Sequence, residues 1–175
     1  MTTVETCTTL SLRRLRDDDT DTVETLFAGL SPRSRHLRFH GPTPRLTGAL
    51  RSMLLRVDDR DRLALVAEAR APGAGWEPVG IARMARTAAR EAEIAVAVVD
   101  AWQGHGVGRT LLTALRVAAR ARGVDRLTAL VLAENARARH LIASVFPLCT
   151  TRHEGSVVHM TCHLTDDLVL DELVA

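Results

Sequence analysis

Gly104, Gly106 and Gly108 occupy every second position in VVDAWQGHGVGRTLL, residues 98–112. An apolar run precedes them and a helix-like pattern follows. The first amides of a helix have no partner inside it, and the helix dipole adds positive potential there. Together they suit a phosphate or pyrophosphate. Glycines at 104, 106 and 108 would remove the Cβ atoms that block close approach, and Arg109 can add charge. The same pattern also fits a glycine-rich turn that merely caps a helix.

Other phosphate loops fit less well. GxxxxGK[ST] is excluded because the chain has no Lys. A dinucleotide fingerprint needs GxGxxG after the first strand of a βαβ unit and an acidic residue placed for the ribose. Here the spacing is GxGxG, deep in the chain.

The elements that must position this loop read as follows. TLSLRRLR is a strand. A helix starts near Asp19–Asp21 and runs to Leu30, with an Asp or Thr at its cap. Ser31 and Pro32 open a second helix, SPRSRHLRF, and RLTGALRSMLLRV is a third helical segment. DRLALVAEAR, EPVGIARMAR and EAEIAVAVV are strands, the first two joined by a Gly- and Pro-rich turn. After the glycines, Val107, Leu111, Leu115 and Ala118 share a helix face that ends near Arg122-Gly123. VDRLTALVLA is a strand and NARARHLIASVF a short helix. CTTRHEGSVVHMTCHL makes two strands around a Glu154-Gly155 turn. TDDLVLDELVA is a tail with one helical turn. The order implies an α/β (α+β) domain with a mixed sheet and helices on its faces.

Composition bounds the rest. The 175 residues fit one domain, 1–175, with 46% hydrophobic and 25% charged residues. No apolar run is long enough for a membrane span, and the start lacks a signal-peptide pattern, so the expected location is cytoplasmic. A net charge of +2 and 3% aromatics argue against nucleic acid as a partner. All 23 basic residues are Arg, and there is no Tyr. Cys7, Cys149 and Cys162 lack CxxC spacing and read as free thiols in a reducing compartment. His159 and His163 fall on the strand face opposite Cys162, so no metal is expected.

Gln103-Gly104-His105-Gly106-Val107-Gly108 resembles the Q/R-x-x-G-x-G/A signature of the GNAT superfamily of N-acetyltransferases, and the order of elements from about Leu10 to Leu164 matches that family. The resemblance implies a GNAT-like, mostly antiparallel central sheet of six to seven strands flanked by about four helices. It also implies that the loop amides hold the pyrophosphate of acetyl-CoA. The cofactor-binding set is then Val98, Val99, Gln103, Gly104, His105, Gly106, Val107, Gly108, Arg109 and Asn135. A bulge near Val98 and Val99 would expose backbone groups to the pantetheine arm. More narrowly, LSPRSRHLRFHG and AEIAVAVVDAWQGHGVG resemble segments of bacterial Pat-type protein-lysine acetyltransferases, including a glutamate ten residues before Gln103, which is Glu93.

The chemistry so implied is acetyl transfer to an amine acceptor, a protein lysine or a small molecule, with Glu93 as general base. Glu91 shares its strand face and is the near alternative. Many GNAT relatives use a Tyr as general acid about seven residues after the Asn; here Ile142 stands there. Ser144 is the candidate substitute, and a thiolate can also leave unaided. Asn135 either bonds the cofactor arm or caps the last helix. His105 reads as a solvated loop residue, and His36 and His40 as structural or substrate-facing. Arg33, Arg35 and Arg38 form a solvated face or favour an acidic acceptor surface. The competing readings are a small-amine acetyltransferase and a non-catalytic acyl-CoA sensor. A monomer or homodimer fits each.

Overall fold

The computed structural model describes residues 9–70 and 73–164. Seven strands form one sheet: β1 Thr9–Arg14, β2 Arg62–Arg70, β3 Glu77–Ala88, β4 Glu91–Val98, β5 Arg126–Leu132, β6 Cys149–Glu154 and β7 Val157–His163. Their order is β1-β2-β3-β4-β5-β7-β6. Every pairing is antiparallel except β4 with β5. Among the described residues five α-helices cover the sheet, one more than the resemblance implied: α1 Thr20–Ala28, α2 Pro32–Phe39, α3 Gly48–Leu55, α4 Val107–Arg120 and α5 Ala136–Val145. The mixed, mostly antiparallel sheet is the GNAT arrangement.

The helix starts follow local chemistry. Ser31 Oγ accepts from Ser34 N at 3.2 Å, and Pro32 stands at the first turn of α2. Thr47 caps α3 in the same way. Asp19 precedes α1 but makes no cap bond. Its carboxylate instead accepts from Arg16 N at 2.7 Å and pairs with Arg13 at 2.6 Å.

Two cores lie on opposite sheet faces. The larger holds α4 and α5 against Leu63, Leu65, Met84 and Ile94. The smaller joins Val23 and Leu54 to Ala64 and Val66. In α4 the buried stripe is Val107, Leu111, Leu115 and Ala119. Ala119 replaces the expected Ala118, because four-residue steps keep to the core side. The helix stops at Arg120, and Gly123 at φ +72° turns the chain towards β5.

The expectation of free thiols is corrected for two cysteines. Cys149 and Cys162 lie opposite each other in the β6–β7 hairpin and form a disulfide. The turn at Gly155, read correctly from sequence, sets that register; counting back from it would have paired them. Cys7 and the tail from Thr165 onward lie outside the described residues.

Candidate functional site

The site begins where the sheet splits. β4 and β5 pair only from Glu91↔Arg126 to Glu93↔Thr128. Beyond that, β4 continues to Val98 beside β3, and β5 continues to Leu132 beside β7. A cavity of about 1500 Å³ lies along this split. Glu93, Val96 and Val98 line one lip, Leu130 and Val131 the other.

The bulge expected at Val98–Val99 is absent, since β4 keeps regular register with β3 from Ala92 to Val98. Alternation exposes the backbone instead. Val99 N donates to Val79 O at 2.9 Å. Residues in that phase bond towards β3, so Val96 and Val98 turn their N–H and C=O groups towards the split. Val99 itself is a correction. Its carbonyl accepts from Trp102 N, its amide is spent on Val79, and its side chain is buried against Gly29. Val96 shares the phase of Val98 and turns the same groups to the split.

A 3-10 turn, Asp100–Trp102, leads from β4 to the glycines. Gly104 and Gly106 both have φ +82°, a conformation that disfavours a Cβ, and nothing lies within 4 Å of where one would stand. The first backbone bond of α4 runs from Thr110 N to Gly106 O at 3.0 Å, and no side chain caps the helix. The leading amides, of Val107, Gly108 and Arg109, are thus left for an acceptor from outside the helix. Gly108 serves packing as well: a Cβ there would meet Leu141 Cδ2 at 2.8 Å. Val107 buries its side chain in the core. This open cradle at a helix start beside a split strand fits a CoA pyrophosphate with its pantetheine arm along β4.

The polar side chains of the loop mostly brace it. Gln103 Nε2 donates to Val98 O at 3.1 Å and Ser34 Oγ at 3.3 Å. His105 Nδ1 contacts Gln103 O at 3.0 Å, and its ring meets Trp102 edge-on. Arg109 lines the cavity and donates to Ser144 O at 3.4 Å. Asn135 Oδ1 caps α5, accepting from Ala138 N at 3.1 Å. Asn135 also lines the cavity. Ser144 lines it too, yet its hydroxyl donates back to Leu141 O at 2.7 Å.

The cavity also carries charged side chains. Three carboxylates line it: Glu93, Asp100 and Glu134. Asp100 accepts from Ser31 N at 3.1 Å, at the N-terminus of α2. Partial burial raises its pKa, but hydrogen bonds from Ser31 and Ser34 and the charge of Arg35 outweigh this and hold the carboxyl below its ordinary value. Glu134 pairs with Arg33 at 2.9 Å and with His36 at 3.1 Å, and both partners lower its pKa. Glu93 forms no ion pair with any described residue. Glu91, by contrast, pairs with Arg126 at 2.6 Å and does not line the cavity.

α2 therefore straddles the split. Asp100 and Gln103 tie it to the β4 lip, and Glu134 ties it to the α5 lip. Its arginines divide. Arg33 binds Glu134, while Arg35 stacks over Phe27 and donates to Phe27 O and Pro44 O. Arg33 and Arg38 both line the cavity; Arg33 is paired there, and Arg38 faces it beside Glu93, with Arg83 from β3. His40 ends α2 at φ 59° and also lines the cavity. Sequence reasoning missed Glu134 and Arg83. Glu134 carries no local signal. Arg83 does: it is a charge set between Ile81 and Ala85 at alternate positions of β3.

Comparisons with known proteins agree with this fold. The sequence profile described as Acetyltransferase (GNAT) family matches residues 35–146. An acetyltransferase of Pseudomonas aeruginosa is 31% identical over 135 residues, covering 77% of this chain and 72% of its own length. The crystal structure of the GNAT domain of S. lividans PAT is similar at TM-score 0.78 and 29% identity, covering 87% of this chain and 89% of that one. A cAMP-binding acyltransferase from Mycobacterium smegmatis is similar at TM-score 0.60 and 25% identity, covering 94% of this chain but 48% of its own.

Proposed function

Since the chain belongs to the GNAT acetyltransferase family and is an N-acetyltransferase, we propose that it transfers the acetyl group of acetyl-CoA to lysine side chains of proteins, with Glu93 as general base. The resemblance of LSPRSRHLRFHG and AEIAVAVVDAWQGHGVG to Pat-type protein-lysine acetyltransferases supports the lysine acceptor. One observation carries the role of Glu93: of the three carboxylates lining the cavity, it alone is not held in a hydrogen-bonded or ionic pair. We place the activity in a single cytoplasmic domain, residues 1–175, monomeric or dimeric.

Acetyl-CoA supplies an acyl thioester. The leading amides of α4 bind its pyrophosphate, and the backbone of Val96 and Val98 orients the arm in the split. Gln103, held to Val98 O and Ser34, keeps the loop open at the right place. A lysine amine has an ordinary pKa near 10.4, so only about one in a few thousand molecules is neutral at pH 7. Glu93 takes that proton directly or through one water. An N–H of Val96 or Val98 steadies the negative charge that gathers on the acyl oxygen. The chain has no Tyr to act as general acid, and the Ser144 proton is held by Leu141 O. A thiol with an ordinary pKa near 8.5 needs no acid to leave.

The test is transfer of labelled acetyl groups from acetyl-CoA to proteins in a bacterial extract, for the wild type and Glu93→Gln. Because the chain contains no Lys, lysine autoacetylation cannot contribute bands. Discrete labelled bands that vanish with Glu93→Gln are the expected result. Bands that persist would remove Glu93 from the base role. No bands, with acetyl-CoA binding intact, would point to a small-amine acceptor.

A further inference from the structure

Arg83 stands directly opposite Ala95 in the β3–β4 ladder, one same-face step from the Ala85↔Glu93 pair. Its guanidinium thus shares a sheet face with Glu93. It donates to Leu54 O and, at 3.5 Å, to Met53 O and Arg56 O, the carbonyl end of α3. Arg38 approaches the same recess from α2. Its guanidinium lies 5.1 Å from the Phe39 ring centroid and donates no hydrogen bond to a described residue. Both arginines line the main cavity and also a side recess of about 30 Å³ between Phe39, Leu54 and Ile81.

Two cations therefore meet on an apolar floor, with one carboxylate that the reaction needs free. Burial lowers the pKa of Arg38, against the opposing pull of Glu93. Burial, then the charge of Arg38, brings Arg83 down to about 10. Half-buried charges of one sign repel each other, and an anion between them relieves that repulsion. An arginine fork with unused donors matches a carboxylate well.

We propose that Arg38 and Arg83 form an anion subsite in the acceptor half of the cavity, so that the amine to be acetylated lies beside a carboxylate on the same acceptor. This rests on the amine-acceptor reading above. For a protein it means an Asp or Glu close to the target lysine; for a small molecule it means an amino acid. A polyamine, all cation, is disfavoured.

The test uses the full chain with acetyl-CoA and single-lysine peptides that differ only in carrying Glu or Gln at one nearby position. At the favoured position, the Glu peptide should win by about tenfold in kcat/KM, the size of a charge-assisted hydrogen bond. Arg38→Gln should bring that ratio to one, and Arg38→Lys should keep part of it. Glutarate should raise the melting temperature of the wild type and compete with the acceptor, and Arg38→Gln should abolish both effects. Peptides acetylated equally at every position, with no effect of glutarate, overturn the subsite and leave the lysine acceptor standing. Acetylation of a free amino acid but of no peptide, at a rate that depends on Arg38, overturns the lysine acceptor and supports the subsite. If Arg38→Gln does not fold, the wild-type peptide ratio and glutarate binding decide.

Discussion

The two ends of the cavity are built from different materials. At the end proposed to hold the cofactor, the groups offered are backbone: the leading amides of α4, two glycines at positive φ, and the outward phase of Val96 and Val98. At the proposed acceptor end they are side chains: Glu93 from β4, Arg83 from β3 and Arg38 from α2. A backbone site depends on local conformation and tolerates varied side chains. A charged recess depends on elements meeting correctly, so single substitutions there should alter chemistry and selectivity with little effect on cofactor binding.

The strongest challenge to that division is Glu93→Gln. Loss of a general base should reduce acetyl transfer by about 10²–10⁴-fold, while calorimetry finds acetyl-CoA binding intact. A parallel loss of binding would merge the two ends into one. Next comes Gly106→Ala. A residue with a Cβ held in the left-handed region costs roughly 1–2 kcal/mol, so acetyl-CoA should bind about tenfold more weakly or the melting temperature should drop. The acceptor KM should hold steady; if it rises as much as the cofactor Kd, the ends are coupled.

Glu134→Gln probes the strap between the two lips. Its ion pairs are exposed, and exposed pairs contribute little stability. The melting temperature should barely move, but α2 loses its hold on α5, and steady-state kinetics should show a modest rise in KM for both substrates. The smallest effect is expected from acid. Asp100 and Asp19 have folded-state pKa values below the ordinary carboxylate. The stability they contribute is present above the unfolded value, near 3.9, and is lost as pH falls through the lower folded values. Melting temperature against pH should therefore fall below about pH 4, and Asp100→Asn should flatten part of that slope.

Much of the backbone at the proposed cofactor end was legible because its causes are local. Ser31 and Pro32 mark the start of α2, and alternation marks the strands. Glycines at 104 and 106 mark backbone that a Cβ would disfavour, at the start of a helix with no side-chain cap. The Cys149–Cys162 pair was readable too, once the Gly155 turn fixed the hairpin register. The helix stripe needed only its period, although Ala118 and Ala119 are separated by packing alone.

What the tertiary structure decided is which side chains are free. Glu91 and Glu93 are alike in type and on one strand face, so residue chemistry alone does not separate them; only the family resemblance singled out Glu93. Only the parallel partner β5, which brings Arg126 to Glu91 and then diverges, occupies one and leaves the other. Arg33, Arg35 and Arg38 are likewise one run by sequence. Glu134, distant in the chain, and Phe27, on the preceding helix, engage the first two and leave the third without a hydrogen-bonded partner among the described residues. Backbone conformation is a property of neighbouring residues and can be read along the chain. Whether a charge is paired depends on what the fold brings against it.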